Sequence, residues 1–315
     1  PFHLRRKREY MQPSIPHMTE TLTHKAGFVN IVGNPNVGKS TLMNLLMGER
    51  ISIATFKAQT TRHRIMGIIN SDDAQIVFSD TPGVLKPNYK LQEEMLAFST
   101  SALQDADVLL YVTDVVEKPD KNSEFLDKVK KMDVPVLLLI NKIDISNQKD
   151  LEALVSLWHE SLPKAEIYPI SAKAKFNVDN VLQRIKELLP PSPPYFGKDQ
   201  WTDKPARFFV TEIIREKILL YYDKEIPYAV EVAVEQFKES EHNIHINAVI
   251  YVERDSQKGI IIGHRGTALK KVSTEARRTL EKFFEKSIYL EIFVKVDKDW
   301  RNNTKRLEAY GYKLD

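Results

Sequence analysis

The octapeptide GNPNVGKS at residues 33–40 limits the fold of this chain more than any other part of its sequence. It matches the pattern G-x-x-x-x-G-K-[ST] and stands between a strand-like apolar run and the start of a helical pattern. Glycines let the backbone wrap a phosphate without Cβ clashes, while successive amides and the helix N-terminus supply positive potential. The motif therefore predicts an α/β sheet with a phosphate site at a strand end. Taken alone, it leaves open a chance match or an ATP site.

Short apolar runs alternate with helical patterns through residues 27–189 of the 315-residue chain. Such alternation is typical of a mostly parallel, doubly wound sheet. We predict strands at 27–33, 64–70, 75–80, 107–114, 134–140 and 167–171, and helices at 39–47, 91–103, 123–131, 151–161 and 178–188. Only a short polar turn separates the second strand from the third, so we expect these two to form an antiparallel hairpin at one edge of the sheet.

A proline-rich segment at residues 190–194 ends this pattern, because proline cannot continue a helix and favours an extended spacer. Beyond it we predict a helix at 205–222, strands at 228–237 and 243–253, a glycine-punctuated turn, a basic helix at 267–286 and a strand at 288–296. This order indicates a smaller α+β layer. We therefore expect an irregular N-terminal extension at 1–24, a nucleotide-binding domain at 25–189, a linker at 190–204 and a second domain at 205–315.

Several residues are suited to bind a nucleotide's phosphates and Mg²⁺. Lys39 is a point charge for the β- and γ-phosphates, and the Ser40 hydroxyl is a Mg²⁺ ligand. The tetrapeptide DTPG at 80–83 ends the hairpin, where Asp80 can hold Mg²⁺ and the Gly83 amide can contact a γ-phosphate. In the loop at 57–63, a threonine can complete the Mg²⁺ shell while the γ-phosphate is present, which would make the loop a switch. We favour Thr61 for this role, with Thr60 as the alternative.

Two further turns at strand ends select the base. The sequence NKID at 141–144 follows a buried strand, and the Asp144 carboxylate matches guanine's N1–H and exocyclic amine, a donor pair that adenine lacks. The Ala172 amide, in the sequence SAK at 171–173, can reach guanine O6. Four such turns stand in this order at strand carboxyl ends, where doubly wound sheets bind ligands, so we predict a guanine nucleotide.

The complete predicted nucleotide site contains residues from all of these turns. We assign catalytic roles to Lys39, Thr61 and Gly83, and Mg²⁺ ligation to Ser40, Thr61 and Asp80. Binding of GTP and GDP is assigned to Gly33, Asn34, Asn36, Val37, Gly38, Lys39, Ser40, Thr41, Asp80, Asn141, Lys142, Asp144, Ser171, Ala172 and Lys173.

The second domain contains a Gly-x-x-Gly sequence at 263–266, between an apolar segment and a basic helix. KH domains use such a loop to clamp the backbone of about four nucleotides of single-stranded RNA. Six lysines or arginines stand against one acid between residues 258 and 278. The helix–strand–strand–helix–strand order resembles a type II KH domain, so we expect this surface to bind RNA rather than to be a solvated basic helix face. The predicted RNA-binding residues are Ile261, Gly263, His264, Arg265, Gly266, Lys270 and Lys271.

The sequences QTTRHR at 59–64 and DTPGV at 80–84 resemble the Era family of GTPases, and the resemblance extends over residues 27 to about 313. It implies a P-loop GTPase domain followed by a type II KH domain. The implied function is binding of the 3′ end of 16S rRNA and maturation of the small (30S) ribosomal subunit, with the GTP state controlling engagement. It also implies a cytoplasmic protein with peripheral inner-membrane association, although we find no strong basic amphipathic helix. We expect a monomer.

Val84 stands where Ras-like enzymes have a water-orienting glutamine. An apolar side chain cannot orient water, so we expect slow intrinsic hydrolysis. In related GTPases, an asparagine at the position of Asn36 helps to bind K⁺ beside the phosphates, where the ion can neutralise charge on the leaving group. We hold K⁺ binding as a hypothesis, with a loop-stabilising role for Asn36 as the alternative.

Two other functions are alternatives to this reading of the sequence. A partner enzyme in tRNA modification is one, but the related GTPase carries a C-terminal cysteine and this chain has no cysteine. The other is an RNA-binding module that senses nucleotide without turnover. The absence of cysteine also excludes disulfides, thiolate metal sites and cysteine nucleophiles.

We interpret residues 1–17, with a basic cluster at 5–8, as a disordered tail or upstream extension rather than a localisation or RNA-contacting arm.

Overall fold

The computed structural model of the chain describes residues 24–119 and 121–313. The extension predicted at 1–24 therefore lies almost wholly outside the described residues, as does its basic cluster. In the first half, a six-stranded sheet contains β1 Lys25–Gly33, β2 Ile65–Asn70, β3 Ala74–Asp80, β4 Val108–Asp114, β5 Val136–Asn141 and β6 Glu166–Pro169. The strand order is β2-β3-β1-β4-β5-β6, and only β2 runs antiparallel to its neighbour. The predicted edge hairpin and the mostly parallel sheet are thus present.

Helices cover both faces of this sheet: α1 Lys39–Met47, α2 Lys90–Ser101, α3 Ser123–Lys130, α4 Gln148–Ser161 and α5 Val178–Leu188. The central strands are buried along nearly their whole length, as continuous apolar runs in parallel sheets usually are. One core, which includes Leu42 and Val181, lies on one face of the sheet, and another, which includes Phe125 and Trp158, lies on the other. The carboxyl ends of β1, β3 and β5 therefore form a fixed edge from which the loops project.

The second half has a three-stranded sheet with helices packed on it. Its elements are α6 Ala206–Tyr221, β7 Glu231–Glu239, β8 Asn243–Val252, α7 Asp255–Ile262, α8 Thr267–Phe284 and β9 Ser287–Val296, followed by the short α9 Thr304–Ala309. Strand β8 is central, antiparallel to β7 and parallel to β9. Alternate residues of β8, among them Ile244 and Ile246, are fully buried against the helices. The predicted α+β layer is confirmed.

The helix α7 is absent from the order predicted from sequence, which was wrong on this point. Gly259 and the three isoleucines at 260–262 have lower helix propensity than alanine or leucine, so the sequence predicts a glycine-punctuated turn here. Tertiary packing overrides this local preference, because Ile261 is completely buried in the core of the second half. At the other end of the helix, the Gln257 side chain accepts hydrogen bonds from the amides of Glu253 and Arg254, which stabilises its first turn.

The segment at residues 195–202, which follows the prolines, is attached to the first half along the edge of its sheet. The Ile68 amide of β2 donates to the Trp201 carbonyl at 2.9 Å, and Thr202 Oγ1 donates to the Met66 carbonyl at 2.7 Å. Gln75 Oε1 accepts from the amides at 195 and 196. The otherwise unpaired edge of β2 is therefore covered, which protects it from pairing with other chains.

A third contact region joins the C-terminal segment to helix α2. Leu91, Met95 and Phe98 of α2 form one apolar cluster with Trp300 and with Leu307 and Tyr312 near the C-terminus. All six side chains are buried. The two halves of the chain are thus packed together next to the loops that follow β1 and β3.

Candidate functional site

The loop after β1 has the backbone conformation that phosphate binding requires. Gly33 and Gly38 have φ angles of 147° and 96°, and Asn36 has a φ of 66°. A Cβ at Gly33 would lie 2.1 Å from the Val112 carbonyl oxygen, and one at Gly38 would lie 2.3 Å from Asn141 Nδ2. Neither position leaves room for a side chain, so the amides of the loop line a concave surface at the N-terminus of α1.

Lys39 is 6% exposed and its ammonium group is held within this loop. Its Nζ donates to the carbonyls of Gly33, at 3.1 Å, and Asn34, at 2.8 Å. Burial lowers the pKa of Lys39 to about 8, although the negative charges of Asp80 and Glu117 act in the opposite direction. An incoming polyphosphate would therefore meet a desolvated amine that is already oriented by two carbonyls.

The three residues predicted to hold Mg²⁺ lie together. Ser40 Oγ donates to Asp80 Oδ2 at 2.7 Å and is 2.8 Å from Thr61 Oγ1, which itself is 3.4 Å from Asp80 Oδ2. Desolvation raises the pKa of the completely buried Asp80. Its second oxygen, Oδ1, has no hydrogen-bond partner among the described residues. Two hydroxyls around a carboxylate with an unused oxygen fit a hard, oxygen-preferring cation such as Mg²⁺.

The two candidate threonines of the loop at 57–63 have different surroundings. The Thr60 hydroxyl bonds to Thr55 Oγ1 at 2.7 Å and to the Lys57 carbonyl at 2.6 Å, within the loop itself. Thr61 is the one that reaches Asp80. Of the two threonines, Thr61, the residue preferred from sequence, is therefore the one that lies beside the other residues predicted to hold Mg²⁺.

The base-recognition turns converge at the ends of β5 and β6. Asn141 Nδ2 donates to the Val37 carbonyl at 2.8 Å, and Asn141 Oδ1 accepts from the Ala172 amide at 3.0 Å. Ser171 Oγ donates to Asp144 Oδ1 at 2.6 Å, so it fixes the carboxylate predicted to recognise guanine. Asn141 therefore ties the phosphate loop to both turns. Lys173 and Thr41 are exposed at this edge of the sheet.

The side chains of Lys142 and Asn34 donate hydrogen bonds to protein groups around the site. Lys142 Nζ donates to the Asn36 carbonyl at 2.5 Å and to Asp114 Oδ2 at 2.7 Å. Asn34 Nδ2 donates to Glu117 Oε2 at 2.9 Å, which directs its side chain towards the body of the protein. Asn36, the residue of the K⁺ hypothesis, is exposed. Its side chain is thus at the solvent side of the loop.

The loop after β3 brings Gly83 against the phosphate loop. A Cβ at Gly83 would lie 2.7 Å from the Pro35 Cα, so only glycine allows this approach. The next residue, Val84, is 4% exposed and packs in the core beneath the sheet, while its amide donates to the Gly33 carbonyl at 3.0 Å. Its side chain is therefore buried in the core and not exposed beside the phosphate loop.

The Gly-x-x-Gly loop connects α7 to α8 and is exposed. Gly263, Arg265 and Gly266 have φ angles of 72°, 50° and 75°. A Cβ at Gly263 would lie 2.6 Å from the Ala268 Cβ, so this position requires glycine. His264 and Arg265 are exposed, as are Lys270 and Lys271 in the first turns of α8. We call the loop and these exposed side chains the basic surface.

Comparison with known proteins identifies both halves. A family model described as a 50S ribosome-binding GTPase matches residues 28–142, and a KH-domain model matches residues 225–301. A variant of Era from Aquifex aeolicus, solved with GDP and AlF4⁻, is 38% identical with a TM-score of 0.88. The alignment covers 92% of this chain and 100% of that one. The chain belongs to the Era family. A second Era structure, with MgGDPNP and nucleotides 1506–1542 of 16S ribosomal RNA, has the same identity, coverage and TM-score.

In this Era-family chain, one of the residues predicted to contact RNA is buried, so that prediction was wrong. The Ile261 side chain is 0% exposed, so it cannot contact a base. Helix α7 turns it into the core, whereas its neighbour Ile260 is 50% exposed.

Tyr221, at the end of α6, was missed by sequence reasoning. Its ring lies 4.1 Å from Lys271 Nζ, and it is 38% exposed beside the basic surface. An aromatic ring at the end of a helix carries no local signal of this contact.

Residues that hold the switch loop from the second half were also missed. Arg215 of α6 donates to the carbonyls of Gln59, at 3.1 Å, and Thr60. Arg62 is completely buried, and its guanidinium donates to the Val230 carbonyl at 2.7 Å. These partners are more than 150 positions apart in the sequence. No spacing pattern could reveal them.

Proposed function

We propose that this Era-family chain binds and hydrolyses GTP, with Mg²⁺ as cofactor, and that GTP controls its binding to single-stranded RNA. The observation that carries this proposal is the convergence of Ser40, Thr61 and Asp80 within 3.4 Å of one another. The convergence joins three separate loops, and one of them carries the switch threonine. Such an arrangement couples a γ-phosphate to the conformation of the loop at 57–63.

The chain's own groups account for binding and transition-state stabilisation. The loop amides and Lys39 hold the β- and γ-phosphates, and the Gly83 amide meets the γ-phosphate oxygens on the opposite side. Bound at Ser40, Thr61 and Asp80, Mg²⁺ would neutralise charge on the phosphate oxygens. Asp144 and the Ala172 amide select guanine. Because Val84 is buried, no side chain at that position orients the attacking water, so intrinsic turnover is slow.

We propose further that K⁺ bound with the help of Asn36 accelerates hydrolysis. The exposed position of Asn36 and the left-handed backbone at this residue leave its side chain at the outer face of the phosphate loop. A cation there would neutralise charge that develops on the leaving phosphate. Turnover should then be faster in K⁺ than in Na⁺ at equal ionic strength, and Asn36→Ala should abolish the difference. Equal rates of the unaltered chain in both salts would remove this part of the proposal.

The RNA proposed as ligand is the 3′ end of 16S rRNA, and the process is maturation of the small ribosomal subunit. The support is the family membership, together with an exposed Gly-x-x-Gly loop flanked by Lys270 and Lys271. The loop backbone would clamp nucleotides and the cations would neutralise phosphates. We propose the same division of the chain as from sequence, with the nucleotide domain at 25–189, the linker at 190–204 and the RNA-binding domain at 205–315.

No helix in the described part of the chain is long and apolar enough to cross a bilayer. We propose a cytoplasmic monomer with peripheral inner-membrane association, on the strength of the family resemblance. Co-sedimentation with vesicles of inner-membrane lipid tests the membrane part, and sedimentation equilibrium tests the oligomeric state. Failure to co-sediment, or a dimer mass, would contradict the corresponding statement.

The experiment for the central proposal is a phosphate-release assay with GTP and ATP, with and without Mg²⁺. We expect slow, Mg²⁺-dependent release from GTP alone. Lys39→Ala should abolish release, whereas Lys128→Ala, which changes an exposed lysine of α3, should leave release intact. Equal turnover of ATP, or full activity of the Lys39 variant, would contradict the assignment of the site.

A further inference from the structure

Arg215 forms a fixed connection from the second half of the chain to the switch loop. It is 2% exposed, and its Nη1 and Nη2 donate to the carbonyls of Gln59 and Thr60. Its Nε and Nη2 also donate to the two carboxylate oxygens of Glu212 at 2.9 and 2.7 Å. This bidentate pairing holds the planar guanidinium in one orientation, because two parallel bonds prevent rotation of the fork. The loop carbonyls therefore meet donors that are already in place.

Arg62 anchors the loop on the other side of Thr61. Its guanidinium is completely buried and donates to the Val230 carbonyl at 2.7 Å and to Glu231 Oε2 at 3.3 Å. The Tyr312 hydroxyl donates to the same Glu231 oxygen at 2.6 Å, so that carboxylate has two partners. The residues before and after Thr61 are thus each bound to the second half of the chain.

We propose that Arg215 is a positioning residue for GTP hydrolysis, acting through Thr61. By fixing the two carbonyls that precede Thr61, it places the Thr61 hydroxyl beside Ser40 and Asp80. The RNA-binding half thereby completes a GTPase site that the first half does not hold in position by itself. This inference rests on the proposed function and extends it, since that proposal assigns no role in hydrolysis to α6.

The energetic argument comes from the location of these bonds. Bonds from a buried, charged donor are strong, and a change that removes the Arg215 guanidinium removes both of them from the loop carbonyls. A loop that is free to move would keep Thr61 near Asp80 for only part of the time. A misplacement of about 1 Å in a reacting constellation can lower a rate about a hundredfold. Nucleotide binding through Lys39 and Asp144 does not depend on the loop, so GDP affinity should change little.

A simple truncation would leave Glu212 as an unpaired buried carboxylate, which is costly. The test therefore uses the double change Glu212→Met/Arg215→Met, which removes both charges together, and Arg215→Lys, which keeps a charge but loses the fork. The matched control is Arg207→Met. Arg207 is an exposed arginine of the same helix, and its 3.4 Å bond is to Val234 rather than to the switch loop.

The measurement is single-turnover GTP hydrolysis in a cycle with Thr61→Ala. We expect the double change to lower the rate about ten- to hundredfold, Arg215→Lys to lower it less, and Arg207→Met to leave it unchanged. In the Thr61→Ala background the double change should have no further effect, because both alterations remove the same contribution. A purely structural role would not produce this non-additivity.

Each remaining outcome distinguishes between the claims. If the rate losses caused by the double change and by Thr61→Ala multiply fully, Arg215 stabilises the protein without positioning Thr61, and the inference is overturned. The same conclusion follows if GDP affinity falls as much as the rate. If the unaltered chain hydrolyses no GTP, the proposed function fails and takes this inference with it. If the unaltered chain hydrolyses GTP and the double change leaves the rate unaltered, only this inference is overturned.

Discussion

The pKa of Lys39 makes nucleotide affinity depend on pH in a way that can be worked out from the structure. Burial lowers that pKa to about 8 in the ligand-free protein. A lysine with a lowered pKa is neutral above that value, whereas the complex with a polyphosphate requires the charged form. Binding therefore takes up a proton above pH 8 and takes up none well below it. The affinity is fully present at pH 7 and falls as the pH rises through 8.

The expected magnitude follows from this linkage. If phosphate keeps the amine charged in the complex, the Kd increases by the factor 1 + 10^(pH − pKa). Between pH 7 and pH 9 this factor grows about tenfold, or about 1.4 kcal/mol. The assay is an equilibrium titration with a fluorescent GDP analogue at saturating Mg²⁺ and constant ionic strength.

The control for this prediction is Lys39→Arg, since a guanidinium stays charged throughout the range. Guanine itself loses its N1 proton at the alkaline end, and this loss affects both proteins equally. The ratio of the two Kd values, wild type over variant, should therefore rise about tenfold between pH 7 and pH 9. A ratio independent of pH would refute the account of Lys39 as a desolvated, titrating amine.

Three further predictions follow from other parts of the structure. Asp144→Asn should weaken GDP binding at least about tenfold, because the charged partner of the guanine N1–H and amine is lost. The same change should favour xanthosine nucleotides, and competition titrations with GDP and XDP test both statements. Burial, together with the neighbouring cations Lys204, Arg215 and Arg62, lowers the pKa of His63 well below its ordinary value. Stability should therefore fall as the pH drops below about 6.5, where only the unfolded state gains a proton. Between pH 7.5 and 5.5, wild type should lose up to about 1.4 kcal/mol more than His63→Phe in denaturant titrations. Equal losses would contradict a neutral, buried His63. Ile261→Ala should destabilise the protein by about 2–5 kcal/mol, whereas the change Ile260→Ala at its exposed neighbour should cost about 0.5 kcal/mol or less. Similar melting temperatures for the two variants would contradict the burial described for Ile261.

Much of the nucleotide site could be predicted because each part is encoded locally. Gly33, Gly38 and Lys39 occupy one loop whose chemistry requires these residue types at this spacing. Asp80 and Asn141 each end a strand, and the strand order of a doubly wound sheet brings those ends to one edge. Sequence motifs and topology were therefore sufficient to place these residues together.

The parts that were missed depend on contacts between distant segments. Helix α7 has weak local propensity at Gly259, and only packing of Ile261 into the core stabilises it. Arg215 belongs to a helix that is buried over most of its length, and its target carbonyls carry no side-chain information. Backbone carbonyls are present at every residue, so a bond to Thr60 leaves no trace in the sequence.

The account's central claim is that the GTP site controls an RNA-binding loop. The most direct test is binding of a labelled oligonucleotide that copies the 3′ end of 16S rRNA, compared between protein loaded with a non-hydrolysable GTP analogue and with GDP. Gly263→Asp serves as the loop variant. Gly259→Asp serves as the control, because it adds the same charge at a helical glycine whose Cβ position has open space beyond the backbone of its own helix.

We predict tighter binding in the GTP-analogue state, lost in Gly263→Asp and largely retained in Gly259→Asp. Equal affinity in the two nucleotide states would contradict control by GTP while leaving the RNA site in place. Undiminished binding by Gly263→Asp would contradict the assignment of the Gly-x-x-Gly loop as the RNA clamp.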